Sequence, residues 1–106
     1  PWRTCIWLRF AGMKAHPRVP RAEALAAFAH EVEHLRGIAD EAQAECYSHQ
    51  RLGVMAQALG ASDDEARRLV QVAWREFYPP SDADYVSAEC RNGGRLDLHP
   101  GRRQWP

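Results

Sequence analysis

The sequence predicts a mainly α domain, α+β at most, with three helices, a short strand ahead of them and a coiled C-terminal tail behind. Three observations carry this. Apolar residues recur at helical spacing in three windows between residues 21 and 77. Start and stop signals bracket each window, and both ends of the chain are punctuated by Pro, Gly and Asn instead of by periodicity. A length of 106 residues (12.1 kDa) allows one domain spanning 1–106.

The elements follow in order. Cys5-Ile6-Trp7-Leu8, with Arg9 and Phe10 behind and the breakers Gly12, Pro17 and Pro20 after, reads as one strand. From Arg21, Leu25, Phe28, Val32 and Leu35 form an inward helical stripe that Gly37 ends. A second helix starts near Asp40, whose carboxylate suits a cap, and runs to about Leu59 before Gly60. Its stripe, Glu41, Glu45, Ser48, Leu52, Met55 and Leu59, changes from acidic to apolar along one face. Ser62-Asp63-Asp64-Glu65 is a capping box for a third helix, with Ala66, Leu69, Val70, Ala73 and Phe77 inward and Pro79-Pro80 as its stop. The remainder is turn-rich coil, anchored by Tyr85, Leu96, Leu98 and Trp105.

Charge narrows the function classes. Fourteen Lys and Arg balance fourteen Asp and Glu, so no net field attracts a polyanion, and the acidic start of the third helix disfavours a helix-turn-helix DNA reader. No nucleic acid partner is expected. Hydrophobic residues at 45% and charged residues at 26% fit a folded soluble domain, and no apolar run reaches the roughly 18 residues of a membrane span. No secretory apolar segment is visible. The chain begins at Pro1 without an initiator Met, as a trimmed or processed piece would.

One motif carries chemistry. His30-Glu31-Val32-Glu33-His34 matches HExxH inside the first predicted helix, where residues four apart stack, so both imidazoles can reach one metal ion. Glu31 projects beside that pair, where a carboxylate can take a proton from water. A catalytic zinc site needs a third protein ligand, and Asp40, Glu41 and Glu45 follow closely. On a straight helix Glu41 would lie roughly 10 Å beyond His34, too far to share an ion. Gly37 must therefore turn the chain, which brings Glu41 back toward the histidines and sets Glu45 one turn deeper. There Glu45 can accept the N–H of a ligating His and fix its tautomer.

HExxH followed by a glutamate on a second helix, with an acidic residue four positions on, resembles the gluzincin class of zinc metallopeptidases. Glu41-Ala42-Gln43-Ala44-Glu45-Cys46 is similar to the E-x-x-A-D-C stretch of neutral zinc metallopeptidases, and the run His30 to Gln50 resembles small actinobacterial proteins of predicted metallopeptidase type. The resemblance implies a minimal zincin-like fold and a zinc cofactor held by His30, His34 and Glu41. It makes Glu31 the general base and Glu45 the support of a ligand, with a peptide or protein as substrate. A second register competes: through Gly37 and Asp40 the chain also fits HExxHxxGxxD, the metzincin-like pattern, with Asp40 as third ligand. Met55 lies in a helical stripe and not in the turn that class requires, and Asp40 has a capping role already, so Glu41 is preferred.

His16, His49 and His99 have no companion at ligand spacing and read as surface or locally bonded residues. Tyr47, Tyr78 and Tyr85 each offer a phenol to an oxyanion, with packing the default reading for all three. Cys5, Cys46 and Cys90 form no zinc knuckle; a Cys46–Cys90 bridge would staple the tail to the second helix and suit a secreted or cell-envelope protein. The strand near Ile6, if it edges the cleft, would align an extended substrate by backbone pairing. The alternative to an enzyme is a non-catalytic helical interaction module with a structural or vestigial zinc site.

Overall fold

A computed structural model describes residues 18–80 and 82–106. The expected strand, with Cys5 and His16, lies outside them. Three helices form the body: α1 (Arg18–Leu35), α2 (Glu41–Ala58) and α3 (Asp63–Phe77), followed by a single 3-10 turn (Ala83–Tyr85) and coil. Among the described residues there is no strand.

Two glycine closures of one kind set the path. At the end of α1, the Gly37 N–H donates to the His34 carbonyl and the Ile38 N–H to the Glu33 carbonyl, with Gly37 at φ +98°. Gly60 closes α2 in the same way, through Gly60 N–H to Gln57 and Ala61 N–H to Ala56. This pair of bonds satisfies carbonyls that a helix end would otherwise leave bare. Among the described residues nothing lies within 4 Å of a Cβ built at Gly37, so glycine serves there for its left-handed backbone. A side chain would cost about 1–2 kcal/mol. The starts are capped as expected: Asp40 accepts from the Gln43 N–H at 2.8 Å, and Ser62 from the Glu65 N–H at 3.1 Å.

Each helix packs on the other two. Ala22 and Leu25 of α1, Leu52 and Ala56 of α2, and Ala66, Leu69, Val72 and Ala73 of α3 make the main core. Gly53 lets α3 approach α2 closely, since a Cβ there would stand 3.3 Å from Val70 Cγ2. The Arg21 guanidinium meets Glu65 at 2.6 Å and ties α1 to α3. A second, smaller core joins Cys46, Tyr78, Cys90 and Leu96, with Trp74 and Trp105 packed on it. Cys46 and Cys90 are bonded, S–S 2.08 Å, so the tail is covalently fixed to α2.

Two expectations need correction here. Helix α1 starts at Arg18 and not Arg21, with Pro20 in its first turn, where a missing N–H leaves no bond unmade. Leu35, assigned to the inward stripe, is 87% exposed. The buried face of α1 runs instead through Ala22, Leu25, Ala29 and Glu33, because small alanines let the neighbouring helices come close. Glu33 is fully buried, with Arg51 Nε at 3.5 Å and Arg36 Nε at 3.8 Å. This carboxylate was invisible to periodicity, which reads a charged residue as solvent-facing.

Candidate metal centre

The α1–α2 turn places three sequence-predicted residues around one point. His30 and His34, one turn apart on α1, bring their Nε2 atoms to 2.9 Å. Glu41, in the first turn of α2, directs Oε1 at both, 3.0 Å from His30 Nε2 and 2.6 Å from His34 Nε2. Asp40, the competing third ligand, is absent from this cluster. Its side chain is spent on the Gln43 N–H. Among the described residues, His30, His34 and Glu41 are the group whose geometry can hold a metal ion.

The far nitrogens decide what the near ones offer. His30 Nδ1 lies 2.8 Å from Glu45 Oε1, and His34 Nδ1 lies 2.7 Å from the Ile38 carbonyl oxygen. Both partners are acceptors, so each Nδ1 carries the proton and each neutral ring turns a bare Nε2 lone pair inward. Two imidazole lone pairs and a carboxylate oxygen then face each other at 2.6–3.0 Å. Three acceptors at that range repel unless a positive charge sits among them. A proton on one imidazole meets that need, and so does a divalent cation. Tetrahedral zinc with bonds of about 2.0–2.1 Å sets its ligand atoms roughly 3.3 Å apart, so the triad fits after opening by no more than about 0.7 Å.

Electrostatics follow the same logic. The hydrogen bond to the Ile38 carbonyl, then Glu41, raises the His34 pKa above its ordinary 6.5 against the opposing effect of desolvation. Desolvation pushes Glu41 up, but His30, His34 and Tyr85 together hold its carboxyl below 4.5. Glu41 also begins a helix, where the dipole favours negative charge.

Tyr85 is the residue that sequence reasoning could not single out. Its hydroxyl donates to Glu41 Oε2 at 3.1 Å and its ring stacks on His30, centroids 5.4 Å apart. The other phenols are elsewhere: Tyr47 accepts from Gln43 at 3.0 Å, and buried Tyr78 accepts from the Ser87 N–H at 3.0 Å. A cavity of about 650 Å³ opens over the triad. Glu31 lines it beside His30 and His34, with Phe77 and Tyr85 among the other wall residues. His99 is exposed, as expected, but His49 is 1% exposed, a correction to its surface reading. Position 49 falls one turn after Glu45, and Trp74 and Tyr78 pack against its ring.

Comparison with protein-family models, with curated proteins and with solved structures returns no match.

Proposed function

We propose that this chain is a zinc-dependent hydrolase that cleaves peptide bonds on a gluzincin-like plan. The supporting observation is the convergence of His30 Nε2, His34 Nε2 and Glu41 Oε1 as three electron-pair donors whose outer atoms are already engaged. These three would hold the ion. When bound, zinc supplies a Lewis acid that polarises a carbonyl and brings the pKa of water down toward about 7.

The chain's own groups do the rest. Glu45 holds the His30 ring and the Ile38 carbonyl holds the His34 ring, so neither can rotate its lone pair away. Tyr85 occupies Glu41 Oε2, which reserves Oε1 for the ion. Glu31 lines the cavity next to the first histidine and accepts the proton of the attacking water, then returns it to the leaving amine. The substrate is a peptide or protein segment entering the open cavity. With the Cys46–Cys90 bridge formed, the working compartment is an oxidising one, secreted or in the cell envelope.

Metal analysis together with Glu31→Gln tests the reading. One zinc per chain, retained in the variant, with cleavage of a mixed peptide library reduced about 10²–10⁴-fold, is the expected result. Zinc retained without turnover in either form would assign the chain to the helical interaction modules.

A further inference from the structure

His49 has no part in the chemistry above, yet it is among the most deeply buried polar side chains of the protein. Trp74 and Tyr78 clamp its ring edge-on, with centroids 5.5 and 5.6 Å away and interplanar angles of 81° and 88°. Among the described residues, neither ring nitrogen has a hydrogen-bond partner within bonding distance. A buried polar group left in that state opposes folding, and an aromatic hydrocarbon of similar shape would avoid the penalty. Among the described residues, the charge it faces is Glu45, whose Oε2 stands 3.6 Å from His49 Nε2, just outside hydrogen-bond length. The other oxygen of that carboxylate, Oε1, takes the His30 Nδ1 proton.

We infer that His49 is a positioning residue: it holds the Glu45 carboxylate from behind, so that Glu45 locks His30 in the tautomer that offers Nε2 to the ion. The chain of contact runs from Trp74 of α3 and Tyr78 just past its end, through His49 and Glu45 of α2, to His30 of α1. The Glu45 carboxylate oxygen stands 2.8 Å from His30 Nδ1 as an acceptor, which places the proton on that nitrogen. The value of that proton for metal binding rests on the zinc reading; the tautomer itself does not.

The test uses the full chain labelled with 15N-histidine, metal-free and mildly alkaline. Long-range 1H–15N correlation should show His30 in wild type protonated at Nδ1 and bare at Nε2. His49→Phe fills the same volume without a donor; the two His30 nitrogen shifts should move toward an averaged mixture. Zinc ion alone, titrated against a chromophoric chelator, should bind about 10-fold more weakly. His49→Gln, which keeps an N–H within reach of Glu45, should restore both readouts, and His49→Asn, which is too short, should not. If His49→Phe fails to fold, the Gln and Asn pair decides by itself. Unchanged His30 shifts in both His49→Phe and His49→Asn, or a wild-type His30 protonated at Nε2, would overturn the assignment. Wild type that binds no zinc but shows the tautomer change would sink the metal reading and leave His49 in its role.

Discussion

Cutting the Cys46–Cys90 bond should cost this protein about 4 kcal/mol. The two cysteines are 44 residues apart, and a cross-link closing that loop removes roughly 13 cal/mol/K of chain entropy from the unfolded ensemble, about 4 kcal/mol at 25 °C. For a domain near this length each kcal/mol moves Tm by about 4–8 °C, so reduction should lower it by on the order of 16–30 °C. Reduction is the cleaner perturbation, because it leaves both side chains in place. Cys46→Ala/Cys90→Ala should fall at least as far, since it also deletes two buried sulfurs. Urea unfolding followed by far-UV circular dichroism, with and without a phosphine reductant, measures the difference, and alkylation of the Cys46 and Cys90 peptides verifies that the bond was open. The loss carries a local consequence. Cys46 adjoins Glu45 and Cys90 follows the Tyr85 segment, so an open bridge frees the phenol that steadies Glu41. A stability change under about 1 kcal/mol, with both thiols alkylated, would refute the reasoning that the tail is held mainly by this link.

Two further outcomes concern the candidate metal centre. His34, with its raised pKa, stabilises the metal-free fold fully below pH 6.5 and loses that contribution as pH climbs through the raised value. Glu41, with its lowered pKa, contributes above pH 4.5 and loses it as pH falls through the lowered value. This pair should therefore support the metal-free protein best between those limits. Zinc has the opposite sign at the upper edge, because its binding must displace the His34 proton, so the zinc-induced rise in Tm should grow as pH passes the raised His34 pKa. Melting curves in chelator and in zinc across neutral pH check this, and a pH-independent zinc increment would contradict it. Glu41→Gln should abolish stoichiometric zinc binding, whereas Asp40→Ala should keep zinc and lose about 1 kcal/mol of stability through the α2 cap. Calorimetric titration with zinc separates the two, and the reverse ranking would favour the metzincin-like register.

Some of this site was legible because local chemistry leaves local signatures. HExxH on a helix fixes the relation of His30 to His34 by helix geometry alone, and Gly37 announces a left-handed closure wherever it ends a helix. Asp40 and Ser62 were readable as caps because their side chains bond backbone only three residues away. Leu35 misled because periodicity weighs hydrophobicity, while the packed face of α1 was chosen by the small size of Ala22 and Ala29. His49 misled for a related reason: polarity predicts solvent, yet what surrounds it, Glu45 one turn back with Trp74 and Tyr78 from further along the chain, comes from other turns.

By itself the sequence determined the three helices, the Asp40 and Ser62 caps and the Gly37 and Gly60 closures, since each depends on residues within a turn or two of one another. Tertiary structure alone decided that Glu41 and not Asp40 faces the imidazoles, and that Tyr85, from 44 residues further along, closes over the carboxylate. It also decided that an apolar leucine is exposed while a histidine and a glutamate are buried. The physical reason is range: hydrogen bonding along a helix is set by neighbours in the chain, whereas the direction of a side chain toward a distant partner is set by how whole helices pack.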